Sequence, residues 1–182
     1  MSHSRRHRRR GFTLVESLCA LSIVAIAGSV ASSVVYSAVR SYRDASARAV
    51  LHTGVATAMD DAFRLLSSIS RDTSASVVAP AISSLTATSI TWNSNWSLSL
   101  SGSQLMYSEA GATARSLLDN VTSFSITAYD ESNAALGASL SGSATQAIRR
   151  LQLQVTVTRD GVSDTLRMRV FIRSMMSGAA IG

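Results

Sequence analysis

Lysine is absent, so all 17 residues counted as basic are arginine. Cysteine occurs once, at Cys19, which excludes an intrachain disulfide, a disulfide-stapled scaffold and a cysteine-based zinc cluster. Histidine is nearly as scarce. His3 and His7 lie in the first ten residues and His52 stands alone on a helical segment, so the three make no metal-ligand set. No phosphate-binding glycine loop and no Ser/His/Asp set is present, and the chain reads as a non-enzyme with no cofactor and no metal. Asp60-Asp61 and Asp130-Glu131 are adjacent carboxylates, whose side chains diverge on a helix or strand. Solvated surface is the reading, with a calcium loop over Asp130-Glu131-Ser132-Asn133 as the alternative for the second pair. Trp92 and Trp96 suit the core and edge of a sheet better than a sugar-binding surface.

The formal net charge is +6, which raises nucleic acid as a partner. Its distribution argues otherwise. Arg5, Arg6, Arg8, Arg9 and Arg10 fall in the first ten residues, and beyond residue 11 the balance is 12 basic to 11 acidic, a net of +1. The basicity belongs to the leader, and no nucleic-acid partner is expected for the isolated chain.

The leader runs into 28 residues, 12–39, in which Glu16 is the only charge. As a helix at about 1.5 Å per residue this segment is roughly 42 Å long, enough for a hydrocarbon core of about 30 Å. A secretory signal peptide, cut after Ala27 or Ala31, would have a shorter apolar region of about 7–15 residues. Arg9-Arg10-Gly11-Phe12 has the flavour of a twin-arginine signal. A lipoprotein reading through Cys19 is weakened by Leu18, where a small residue is needed. Arginine bias keeps the amino end in the cytoplasm and sends the rest across.

A carboxylate in a membrane helix costs about 2.5–3.5 kcal/mol at mid-span, less near the end. Glu16 has no cationic side chain within reach on the apolar side. A cut after Gly11 would create one: the new α-amino group of Phe12, four residues from Glu16. The run Arg10-Gly11-Phe12-Thr13-Leu14-Val15-Glu16 resembles the class III leader of type IV prepilins and type II secretion pseudopilins. The resemblance implies that prepilin peptidase cuts after Gly11 and methylates Phe12, and that Glu16 docks the subunit into a growing filament. It also implies other pilin or pseudopilin subunits, an inner-membrane assembly platform and membrane lipid as partners. Ala20, Ala27, Gly28 and Ala31 would let neighbouring helices approach. Relatives often carry a helix-bending proline where this chain has Ser33.

Beyond residue 39 the pattern becomes amphipathic, with Val55, Met59, Phe63, Leu66 and Ile69 on one face. The helix is expected from Phe12 to about Ser70. Pro80, the only proline, lies in a connector. Alternation then predicts strands over 88–92, 96–101, 104–107 and 121–127, with turns at Gly102-Ser103 and Asp160-Gly161. Two further strands flank the second turn, carrying Leu151, Val155 and Val157 before it and Leu166, Met168, Val170 and Ile172 after it. Residues 133–147 read as a loop. The fold class is α+β: a long amino-terminal helix packed on a carboxy-terminal antiparallel sheet. Its expected segments are leader 1–11, membrane or filament-core helix 12–39, amphipathic helix 40–72 and a β-rich extracytoplasmic domain 73–182. The order resembles minor pseudopilins of the J class, through Leu117-Leu118-Asp119-Asn120-Val121, Phe124 and Phe171-Ile172-Arg173. An exported binding or adhesion protein with an ordinary or twin-arginine signal peptide is the competing function.

A peptidase working at the membrane face needs close approach to the backbone at Gly11, which a branched side chain obstructs. Gly11→Val should leave a precursor that keeps its first 11 residues. Mature-sized protein from that variant, seen by intact-mass measurement, would count against cleavage at this site.

Overall fold

The computed structural model describes residues 13–110 and 112–176. One helix, α1, runs unbroken over Leu14–Ser67. The chain divides into two compact units, Met1–Ala45 and Ser46–Gly182. In the first, every described residue of α1 is exposed. In the second, Val55, Ala58, Met59, Ala62 and Leu66 are buried at steps of three, one, three and four, the stripe of a helix with one apolar face. Phe63, expected on that stripe, is only half-buried, and Ala58 and Ala62 take its centre.

The strands are β1 Ile82–Leu85, β2 Ser89–Trp92, β3 Trp96–Ser101, β4 Gln104–Ser108, β5 Arg115–Leu118, β6 Val121–Tyr129, β7 Leu140–Ser141, β8 Arg150–Arg159 and β9 Val162–Phe171. A short helix, α2, follows at Arg173–Met176. The fold is α+β, a long amino-terminal helix packed against antiparallel sheet. The single sheet expected is in fact two, a six-stranded one ordered β5-β4-β3-β2-β1-β7 and a three-stranded one ordered β6-β8-β9. Alternation identifies strands but not their partners. The division falls after Asn120, whose φ of +58° turns the chain away from β5, and β6 then pairs with β8.

Three hairpins follow from their turn residues. Asp160 and Gly161, with φ of +52° and +78°, form a two-residue loop closed by Arg159 and Val162. Two positive φ values are what a type I′ turn requires, and they suit the twist of the flanking strands. Gly102, with φ +59°, opens the loop between Ser101 and Gln104. Trp92 pairs with Trp96 across Asn93, Ser94 and Asn95, all left-handed.

The loop expected over 133–147 needs correction. It contains β7, which pairs with β1, and a 3-10 turn over Gly142–Ala147. The buried Thr145 hydroxyl donates to the Ile82 carbonyl at 2.7 Å, so a run of small polar residues is held against the sheet by a specific bond. β1 escaped the alternation because a bulge between Ile82 and Ser84 breaks its period.

The core joins α1 to both sheets through Val55, Met59, Leu66, Trp92, Leu98, Phe124, Leu153 and Val155, all at most 4% exposed. Each such large side chain contributes roughly 1.5–3 kcal/mol on leaving water. The end of α1 is tied by one polar side chain. The Asn93 Oδ1 accepts the Ser70 N–H at 3.0 Å and the Ser70 hydroxyl at 2.8 Å. The Asn93 N–H donates to the Ala81 carbonyl at 2.9 Å. The left-handed φ of +45° that Asn93 needs is one asparagine tolerates.

Asn93→Ala should lower unfolding free energy by about 1–2 kcal/mol, from its lost side-chain hydrogen bonds to Ser70 and Ser68 and a less tolerated φ. Asn93→Gly keeps the φ and should lose only the hydrogen-bond part. Thermal denaturation of both variants, in detergent, checks this; unchanged midpoints would show that the tie is incidental.

Candidate assembly site on the amino-terminal helix

Thr13 stands immediately before α1. Its carbonyl accepts the Ser17 N–H at 3.1 Å and its Oγ1 accepts the Glu16 N–H at 3.3 Å, so its side chain caps the helix. Thr13-Leu14-Val15-Glu16 has the order of a capping box, a threonine and then a glutamate three residues on. A first-turn carboxylate also sits at the positive end of the helix dipole, an effect of about 0.3–1 kcal/mol. This local role is absent from the sequence reading, although the Thr-x-x-Glu spacing carries its signal. The Glu16 carboxylate itself is exposed and bonds to no described residue. Gly11 and Phe12, assigned above to cleavage and methylation, lie outside the described residues.

Successive residues of a helix turn by about 100°. On that count Glu16, Ala20, Ala27 and Ala31 fall on one narrow stripe of α1, with Gly28 flanking it. A Cβ added at Gly28 would meet nothing within 4 Å, so the glycine leaves room for something outside this chain. Leu14, Leu18, Leu21, Ile23, Val30 and Val35 are each more than half exposed and surround the stripe. Taking such side chains out of water is favourable by roughly 1.5–3 kcal/mol each. Together they outweigh the cost of one carboxylate near the end of a span. Three hydroxyls in this stretch are bonded within the helix: Ser22, Ser29 and Ser33 donate to the carbonyls of Leu18, Ile26 and Val30 at 2.8–2.9 Å. At Ser33, where relatives often carry proline, the helix continues.

Residues 6–32 match a family model described as the prokaryotic N-terminal methylation motif. The chain thus carries a class III leader of the pilin and pseudopilin type. The motif supports a pilin-like subunit anchored in a membrane by its apolar helix; leaders of this type go with peptidase processing and association with other pilin subunits. The match ends at residue 32 and does not extend into the β-rich region. No curated protein matches the sequence.

The remaining candidates separate. His52 is not alone: its Nδ1 lies 2.9 Å from the Asp164 carboxylate of β9. Asp60 pairs with Arg64 one turn on, at 2.7 Å, while Asp61 is exposed. Trp92 is fully buried and Trp96 half-buried, with ring centroids 6.4 Å apart. In the loop weighed for calcium, the Oδ1 atoms of Asp130 and Asn133 are engaged within the chain. Asp130 accepts from the Ser132 hydroxyl and the Ala134 N–H, both at 2.8 Å, and Asn133 accepts from Arg150 at 2.7 Å.

The Ser132 hydroxyl, and then the Ala134 N–H, hold the Asp130 carboxyl below its ordinary range. Ser74 does the same for Asp72, through its hydroxyl and its N–H. A carboxylate with a lowered native pKa stabilises the fold above its unfolded value of about 3.9, and that contribution disappears as pH falls through the native value. The double variant D72N/D130N should therefore lose less thermal stability than the parent between about pH 5 and about pH 3. Parallel curves would show that neither turn is linked to protonation.

Proposed function

We propose that this chain is a minor pilin or pseudopilin, a structural subunit of a type II secretion or type IV pilus-like filament. Prepilin peptidase removes residues 1–11 and methylates Phe12. Residues 12–39 then cross the inner membrane once, amino end in the cytoplasm, and later form part of the filament core. Glu16 is the assembly carboxylate, and Ala20, Ala27, Gly28 and Ala31 form the close-packing face beside it. The inner-membrane assembly platform and other subunits are the partners, and the order of elements after α1 favours the J class of minor pseudopilins.

The observation that carries this reading is a single helix within a matched methylation motif. Over residues 14–39 its apolar surface is exposed all round, and the one carboxylate of that stretch shares a stripe with Ala20, Ala27 and Ala31. In lipid that carboxylate has no partner. Beside the amino terminus of a neighbouring subunit it has one, so a buried ion pair forms only on assembly and sets the register between helices.

A second reading, an exported binding protein with a removed signal, is favoured by one feature. A cleft of about 360 Å³ opens beside Trp96, Tyr107, Glu109 and Arg115, and the Arg115 guanidinium lies 5.1 Å from the centre of the Tyr107 ring.

The mature amino terminus separates the two. Mass spectrometry should find methylated Phe12 as the first residue; a start near residues 28–32 would establish the second reading. Glu16→Ala keeps the Thr13 cap, so the variant should insert and be processed but be lost from filaments. Incorporation at the parent level would remove the assembly role of Glu16.

A further inference from the structure

β9 is the free edge of the three-stranded sheet. It pairs with β8 from Arg159↔Val162 to Arg150↔Phe171 without a bulge. The other edges are short or blocked. β5 has four residues and β7 two, while β6 is met along its edge by Ala87 and Leu136 at 2.8 and 2.9 Å. In a hairpin with a two-residue loop the closing pair is hydrogen-bonded, and pairs alternate from there. Val162, Asp164, Leu166, Met168 and Val170 thus turn their backbone groups toward β8. Ser163, Thr165, Arg167, Arg169 and Phe171 turn theirs outward, and all five are exposed.

The same alternation sends those side chains to the outer face of the sheet. The outward residues of β6, β8 and β9 include no Asp or Glu; the one carboxylate of β9, Asp164, faces inward to His52. Two guanidiniums stand on this face held only by neutral groups. Arg167 donates twice to the Gln154 Oε1, at 3.1 and 2.8 Å. Arg169 donates to the Gln152 Oε1 at 3.0 Å and lies 5.6 Å from the centre of the Tyr129 ring. The ion pairs among the described residues involve neither. The near-neutral charge of the chain beyond its leader conceals this local excess. Arg150, on the same face, sits beside the Asp130 loop, whose carboxylate feels its charge, and is set aside.

We propose that β9 is a docking edge for an extended segment of a different polypeptide, one carrying carboxylates at two alternating positions. Such a strand takes up the outward N–H and C=O groups of β9. Its own outward residues recur at about 6.8 Å, the repeat of Arg167 and Arg169 on the same strand. The guanidiniums are held in place by Gln152, Gln154 and Tyr129 before the partner arrives, which reduces the entropy lost on binding. A second copy of this chain is disfavoured, because the outward residues of its β9 include no carboxylate to meet the arginines, and the central antiparallel registers bring Arg167 against Arg167 or Arg169 of the copy. A nucleic acid would use the guanidiniums and leave the backbone edge unpaired. This surface does not depend on how the amino terminus is processed.

The test uses the full-length chain in neutral detergent and a fluorescein-labelled peptide, Thr-Val-Thr-Val-Glu-Val-Glu-Val-Thr-Val, followed by anisotropy. The peptide should bind, more weakly as salt is raised. Replacing both glutamates by lysine, or N-methylating the edge-facing amides, should each weaken binding by at least about tenfold, the size of one lost charge-assisted hydrogen bond. The variant R167E/R169E should reverse the preference and bind the lysine peptide, which also shows that it is folded. Absence of binding to the parent overturns the proposal. So does N-methylation without effect, which would leave charge alone at work, or tighter binding of a twenty-nucleotide oligothymidylate than of the glutamate peptide.

Discussion

One helix has to meet two surroundings, and the rest of the structure answers to that constraint. Over its later turns α1 has a single apolar stripe, which Trp92, Leu98, Leu153 and their neighbours cover. Over its earlier turns it is apolar on every side and no described residue covers it. A helix apolar all round is stable only where lipid or other helices replace water. The same backbone hydrogen-bond pattern therefore supports a domain core at one end and an exposed apolar surface at the other, and the side chains alone set the difference.

Glu16 has a local role in the structure and, on the proposed reading, an intermolecular one. Locally it belongs in the first turn, behind the Thr13 cap and at the positive end of the dipole. Those effects favour a helix start at this point, but they leave the carboxylate itself without a partner among the described residues. On the proposed reading it acts as a switch, costly in lipid and satisfied in an assembly. The nearby hydroxyls of Ser22, Ser29 and Ser33 are bonded within the helix. They impose no such demand and do not compete with Glu16 in setting register.

In the second unit, polar side chains at a few positions decide how apolar strands are arranged. Asn93 holds the end of α1 to the β2–β3 hairpin, and Thr145 holds a 3-10 turn to β1. The three-stranded sheet is asymmetric. Its inner face is closed by aliphatic side chains and the His52–Asp164 pair, while its outer face carries arginines with neutral partners. Strand alternation puts the charges of β9 on opposite faces, and pairing with β8 makes that division three-dimensional.

The amino-terminal motif was legible in the sequence because it is contiguous: Gly11, Phe12, Thr13 and Glu16 follow one another within the matched stretch 6–32 and lead into one helix start. The β8–β9 hairpin was legible for the same reason, since Asp160-Gly161 dictates its own turn and aligns ten residues on either side. The division into two sheets was not. The strands that alternation reveals share the same period of two, and whether β6 joins β5 or β8 depends on a left-handed Asn120 and on contacts far apart in the chain. Bulges hid β1 by breaking its alternation. His52 looked isolated because Asp164 is 112 residues away, and Arg167 and Arg169 looked balanced because the acids that offset them in the count lie elsewhere. Local propensity and turn chemistry act over a few residues and can be read along the chain, whereas strand partners and the charge of a face are set by register between distant segments, which only the folded backbone decides.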